Sequence, residues 1–264
     1  MQWSLVGSEM CIRDRGKRMD VLITGCNSDV GVALSERLVA SGHTVRAYDV
    51  DGSRRPGAIE FVEGDVRDFG LLATVAEGCD VGLHLAALSG DSPAADILSV
   101  NVLGAYGFLS AASKNAFRTS VVASSAPVHL DPRPSDDAPL LRTSADRDHT
   151  YDLSKTLQEV IGRDFHAHGL PVLCLRFGHI VLGEEEKTLD RSKDLSSEAY
   201  CRGGWVALED IAVSCAAALA IEPSHDALEV LNVVGSVSAR ERFRVADAES
   251  RLGVELQYDF SDYE

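Results

Sequence analysis

From Asp20 onward the chain predicts an α/β domain built on a doubly wound parallel sheet with a small C-terminal lobe, and three observations carry that reading. Short β-branched runs alternate with longer stretches of helical periodicity, the pattern of βαβ units whose strands are buried on both faces. A glycine turn, Gly25-Cys-Asn-Ser-Asp-Val-Gly31, stands between the first such run and the first helical stretch. The chain is also long enough, at 264 residues, to enclose one large core.

Residues 1–18 come first and fall outside that pattern. They carry basic residues but lack the long apolar segment and small-residue cleavage site of a secretory signal. They resemble translated adapter sequence, with Met19 as the natural start, and are expected to be disordered or loosely attached. Residues 19–264 are expected to form a single domain.

Strands are predicted at 21–24, 44–48, 59–62, 81–85, 119–123, 172–177 and 229–233, with helices in most of the gaps. The clearest 3.6-residue spacing covers about 30–41, 94–114, 151–167 and 208–221. Along 151–167, the residues Leu153, Leu157, Val160, Ile161 and Asp164 make the stripe expected to face the sheet. Tyr151 and Lys155 share a neighbouring stripe that is free to line a cleft. Two loop-like stretches follow from composition: 130–148, rich in Pro, Asp and Arg, and the strongly charged 183–204. The second, beginning near residue 179, combines with 235–264 as a lobe expected to cover a substrate.

Composition excludes several classes of function. With 25 basic against 41 acidic side chains and a formal net charge of −16, the chain repels nucleic acid and anionic lipid. No run of 18 apolar residues occurs, so no membrane span is predicted. Six cysteines lie far apart with no Cys-x-x-Cys pair, which fits neither a zinc site nor a disulfide scaffold; they read as reduced thiols of a cytoplasmic protein. No metal is expected. Cys26 sits in the glycine turn, where oxidation would hinder a ligand, although inert packing is the alternative.

The turn is placed where a dinucleotide loop belongs. Gly25 permits the sharp bend, Gly31 permits close packing of helix on strand, and free N–H groups at the helix start, around Asp29 and Val30, can hold a pyrophosphate. Ser28 stands where a middle glycine would be; its side chain narrows the approach to phosphate, while its hydroxyl can cap the helix or bond a phosphate oxygen. Asp49 ends the second strand, where a carboxylate accepts from an adenine-ribose diol and repels a 2′-phosphate, favouring NAD over NADP. Arg54 and Arg55 lie close enough to soften that preference.

Tyr151 and Lys155 put a phenol and an ammonium four residues apart on one helix face. A nearby cation favours the phenolate by about 1.4 kcal/mol for each unit of pKa lowering. Upstream, the run from Ser120 to Ser125 reads as a buried strand ending in hydroxyls.

These residues, with Gly64-Asp-Val66, His84-Leu-Ala-Ala87, Asn101, Ser124-Ser125, Leu175-Arg-Phe177 and Trp205-Val-Ala-Leu-Glu-Asp210, resemble the extended short-chain dehydrogenase/reductases, the NAD-dependent epimerase/dehydratase group with its Rossmann fold. The resemblance implies NAD as cofactor and the catalytic set Ser125, Tyr151 and Lys155. In that set Tyr151 exchanges a proton with a substrate hydroxyl, Ser125 bonds the same oxygen, and Lys155 holds the nicotinamide ribose. Ser125 is favoured over Ser124 because the family's hydroxyl immediately precedes a small pair, here Ala126-Pro127. The resemblance further implies that Asp65 and Val66 flank the adenine, that Leu85, Ala86 and Ala87 line the nicotinamide side, and that Asn101 supports the site backbone and a relay water.

Within the family, the absence of an acidic pair after Ser125 argues against dehydration, and the short C-terminal lobe argues for a substrate smaller than a nucleotide sugar. The layout is most similar to uronate dehydrogenases, which oxidise a free sugar acid. It departs from them at His179 and at Ala126-Pro127, where that group has Ser and Asn-His. The resemblance makes Ser89, Ser125 and Ala126 contacts of a sugar-type substrate. Arg191 or Arg202 is a candidate fork for its carboxylate, and His179 and His129 are candidates for its hydroxyls. A nucleotide-sugar epimerase and a non-catalytic NAD-binding redox sensor remain the alternatives. Members commonly form homodimers through helices such as 94–114 and 151–167.

Overall fold

The computed structural model describes residues 18–54, 59–88, 92–126, 149–181, 204–241, 243–258 and 260. Side chains alternate across a strand, and here successive residues enter two different cores. Leu22 and Ile23, Val121 and Val122, and Cys174 and Leu175 divide in this way between two apolar clusters. Only a sheet covered on both faces can use such runs, and the seven predicted strands form one: β1 (Asp20–Thr24), β2 (Thr44–Asp49), β3 (Glu60–Glu63), β4 (Val81–His84), β5 (Thr119–Ser125), β6 (Val172–Phe177) and β9 (Glu229–Val233). All neighbours are parallel, in the order β3-β2-β1-β4-β5-β6-β9. The order reverses between β1 and β4, and ligands of such sheets bind outside the carboxyl ends of the strands at that point.

Helices α1 (Asp29–Ala40) and α6 (Leu208–Ala220) pack on one face through Leu34, Leu38, Ile211 and Leu219. On the other face lie α2 (Phe69–Val75), α4 (Gly104–Lys114) and α5 (His149–Ala167), with Leu72, Phe108 and Leu109 in the core. The predicted helix 94–114 is continuous but mixed: α3 (Ala94–Ile97), a π-helical turn over Leu98–Leu103, then α4. Among the described residues it is the one helix long and apolar enough to cross a membrane by composition. Its packing against α2 and α5 is that of a core helix, with Leu103 and Tyr106 left about half exposed.

The expected apolar stripe of α5 is corrected by the structure. Asp164 is exposed, and Leu153, Leu157, Val160 and Ile161 are only half-buried. The fully covered face is polar: Asp152, Ser154, Lys155, Thr156, Gln158 and Glu159. Burial of such groups is tolerable chiefly when they are bonded, and three of them bond the backbone. Ser154 Oγ donates to Tyr151 O at 2.7 Å, Thr156 Oγ1 to Asp152 O at 3.0 Å, and Gln158 Nε2 to Asn101 O at 2.9 Å.

Sequence periodicity missed a small parallel pair, β7 (His179–Val181) with β8 (Trp205–Ala207), because three-residue strands carry almost no pattern. The C-terminal part adds α7 (Val237–Arg240) and α8 (Val245–Leu252). It is tied down by the buried Asp210, whose carboxylate accepts from Gln257 N at 2.9 Å and Tyr258 N at 3.1 Å.

Candidate active site

The turn after β1 is shaped by backbone crowding. Gly25 has φ +75°, and a Cβ there would collide with Ala86 N; a Cβ on Gly31 would lie 2.5 Å from Cys26 O. Ser28 resolves the question raised by its sequence position. Its hydroxyl donates to Gly25 O at 2.7 Å and accepts from Gly31 N at 3.1 Å, so it caps α1 and closes the turn on itself. The N–H groups of Asp29 and Val30, in the first turn of α1, lie beyond reach of any intrahelical carbonyl and remain donors for an anion.

Asp49 Oδ2 accepts from Asn27 N at 2.9 Å and Oδ1 from Val50 N at 2.8 Å. A carboxylate has about four acceptor positions, which leaves room for a ribose diol. Arg54 is not a free counter-charge: its Nη2 meets Asp29 Oδ1 at 2.5 Å, and its backbone N–H donates to Asn27 Oδ1 at 2.7 Å. Asn27, which sequence reasoning passed over, thus laces the glycine turn to the loop after β2. Cys26 is fully buried and its thiol is pushed up to about 12 by burial and by the nearby Asp49, which favours inert packing over redox chemistry. The described cysteines, Cys26, Cys79, Cys174 and Cys215, are all buried and unpaired.

Two cavities adjoin along the carboxyl edge of the sheet, sharing Ser28, Leu85 and Ala87. One, of about 360 Å³, is lined by Gly25, Asp49, Val50, Asp65, Val66 and Arg67, with Ala86 also in its wall. Arg67, a second residue not foreseen, pairs with Asp65 and holds that carboxyl below the usual range through their hydrogen bond. The other, of about 430 Å³, brings together Ser125, Tyr151, Lys155, Phe177 and His179. A dinucleotide laid across both would place its adenine end at Asp49 and its far end at Tyr151, so the residues present fit NAD.

The choice between the two serines follows from strand alternation. Ser124 and Arg176 are register partners on the face covered by α5, and Ser124 Oγ donates to the buried Glu159 Oε1 at 2.6 Å. Ser125 points the other way and is half-buried at the cavity wall. Lys155 Nζ donates to Ala123 O at 3.0 Å and lies 5.8 Å from the centre of the Tyr151 ring. Burial lowers its pKa to about 8, against the opposing pull of Glu159, so the ammonium still predominates at pH 7.

Asn101 reaches the cavity only through another residue. Fully buried in the π-helical turn, it accepts from Leu88 N at 2.7 Å and donates to Leu88 O at 3.1 Å, clamping the loop that carries Leu85, Ala86 and Ala87. Ala126 does not face the cavity: it is fully buried in the core cluster, on a strand end whose preceding residue takes the cavity side. Ser89, Arg191, Arg202, His129 and Arg55 lie outside the described residues.

His84 closes β4, with Nδ1 2.7 Å from Thr24 Oγ1 and its ring stacked on Phe108 at 5.4 Å. Burial, reinforced by the charge of Lys155, lowers its pKa to about 3, while an unfolded histidine titrates near 6.5. Below pH 6.5 the unfolded chain therefore binds a proton that the folded chain refuses. The stability from neutral His84 is complete above 6.5 and is lost as pH falls from there toward 3, at up to about 1.4 kcal/mol per pH unit. Thermal unfolding between pH 7.5 and 5 is expected to show this slope, and His84→Gln to flatten it; an equal slope in both proteins would contradict the assignment.

A glycine-turn cleft for a dinucleotide, ending at a Ser-Tyr-Lys cavity, defines a nucleotide-dependent α/β enzyme class. Residues 21–197 match the NAD dependent epimerase/dehydratase family. The chain belongs to that family, and its cofactor is NAD. Among solved structures it is similar to a mutated uronate dehydrogenase, 23% identical over 93% of this chain and 84% of that one, with TM-score 0.66. It is also similar to MoeE5 in complex with UDP-glucose and NAD, 24% identical over 91% and 84%, TM-score 0.64. The dTDP-glucose 4,6-dehydratase DesIV from Streptomyces venezuelae, a double mutant with NAD and DAU bound, is 20% identical over 92% and 93%, TM-score 0.67. At these identities the likeness is one of fold. A search of curated proteins found no match.

Proposed function

We propose that the chain oxidises a hydroxyl of a free sugar or sugar acid, using NAD. The observation that carries this reading is the meeting of Ser125, Tyr151 and Lys155 in one cavity that continues into the cleft ending at Asp49. Bound there, NAD supplies a hydride acceptor. Tyr151 in its phenolate form takes the proton of the substrate hydroxyl as the C–H bond gives up its hydride. The Oγ–H of Ser125 donates to the same oxygen and fixes its direction. Lys155 contributes the positive charge that favours proton loss from the phenol, and its bond to Ala123 O fixes where that charge stands. His179, exposed on β7 and part of the same wall, supplies a ring nitrogen for a second sugar hydroxyl. A uronate dehydrogenase among the structural neighbours supports a free sugar acid as substrate, whereas MoeE5 was crystallised with nucleotide sugars.

The test is a panel of uronic acids, neutral sugars and nucleotide sugars offered with NAD. Net NADH from a free sugar is the expected result. Stereochemical inversion of a nucleotide sugar without net NADH would replace this reading with an epimerase, and NAD binding with no turnover on any member would replace it with a dinucleotide sensor.

A further inference from the structure

We infer that Glu159 is a positioning residue for the site, holding the charge and place of Lys155 through a buried three-way junction with Arg176 and Ser124. Tyr151, Lys155 and Glu159 recur at intervals of four on α5, so one helix face carries the base, its cation and then a carboxylate. Arg176 Nε and Nη2 donate to Glu159 Oε1 and Oε2 at 2.8 and 2.7 Å, a bidentate fork. Ser124 Oγ adds a third bond at 2.6 Å. Both side chains of the Glu159–Arg176 pair are about nine-tenths buried. Just before Ser124 on β5, the carbonyl of Ala123 receives Lys155 Nζ. The carboxylate therefore rivets α5 to β5 and β6 one turn beyond the lysine, and it engages the hydroxyl of Ser124, which lines the cavity beside Ser125.

The charges around Lys155 give the junction its sign. Tyr151 and Glu159 come from its own helix, His84 from β4, and Arg176 and Cys174 from β6. His84 is neutral and buried, and Cys174 is a protonated thiol raised by burial. Glu159 is thus the nearby anion that offsets the burial of the Lys155 ammonium, and Arg176 pairs with that carboxylate.

The inference rests on the proposed role of Lys155 at the dinucleotide, and the experiment needs dinucleotide binding without turnover. NADH dissociation constants are measured by fluorescence from pH 6.5 to 10. In the unmodified protein the affinity is expected to fall about tenfold as Lys155 loses its proton near pH 8. In Glu159→Gln the fall should move about one pH unit toward acid, the size of effect an adjacent opposite charge exerts. Ser124→Ala, which removes one bond and no charge, should leave the midpoint where it was. Should Glu159→Gln fail to fold, the double variant Glu159→Met/Arg176→Leu leaves no buried charge unpaired and is expected to shift in the same direction. An unshifted midpoint in the Glu159 variants, or an equal shift in Ser124→Ala, overturns the inference alone; a parent protein that binds no NADH overturns it together with the proposed function.

Discussion

Tyr151→Phe is expected to lower kcat on the active sugar by about 10²–10⁴-fold, or at least about 3 kcal/mol of transition-state stabilisation, while changing NADH affinity by no more than about threefold. The two readouts separate because the substitution deletes one oxygen and leaves the ring. The ring keeps its place above Lys155, whose Nζ lies 5.8 Å from its centre, and the cleft at Asp49, Asp65 and Val66 is untouched. Without the phenolate, the hydroxyl proton has only Ser125 to meet, and a neutral serine already spends its own proton as a donor. Equal losses in kcat and kcat/KM would identify an interaction made in the transition state. A variant retaining more than about a tenth of the parent kcat would remove Tyr151 from the role of base, whatever the fold.

Much of this architecture was legible because a parallel sheet writes itself as β-branched runs separated by amphipathic helices. All seven main strands and the four clearest helices lie within a few residues of the positions that periodicity indicates. The cofactor end was legible for a different reason: Gly25 and Gly31 occupy places where no side chain fits, and Asp49 ends a strand where a carboxylate has a specific task. What stayed hidden is polar and long-range. The covered side of α5 carries Ser154, Lys155, Gln158 and Glu159, and no pattern of apolar spacing can announce a face held by hydrogen bonds. Arg176 and Ser124 are separated in sequence by 52 positions and become neighbours only through strand register. Asn101 supports the backbone of the cleft as its place in the sequence suggests, although the partner, Leu88, emerges only from the coordinates. The role of Ser28 needed coordinates too: capping and phosphate binding draw on the same hydroxyl, and only its partners separate them.

Arg176→Leu is expected to destabilise the protein by about 3–5 kcal/mol, the cost of stranding one member of a buried ion pair. Glu159, about nine-tenths buried, would lose two charge-assisted bonds at 2.7 and 2.8 Å in a place that solvent scarcely reaches. The double variant Glu159→Met/Arg176→Leu should recover most of that loss, because apolar side chains of similar volume need no partner at all. Denaturant unfolding of the three proteins at pH 7.5 measures the comparison, and pH gives it an independent check. In the single variant, burial without the paired guanidinium is expected to raise the folded-state pKa of the Glu159 carboxyl above its unfolded value. A carboxyl raised in this way leaves stability intact below the unfolded pKa and removes it as pH rises through the folded value. The deficit of Arg176→Leu should therefore shrink toward acid and be largest at neutral pH, while the double variant should track the parent. A single variant as stable as the double at pH 7.5 would mean that Glu159 finds other donors or water, and the junction would then be an incidental contact with no hold on α5.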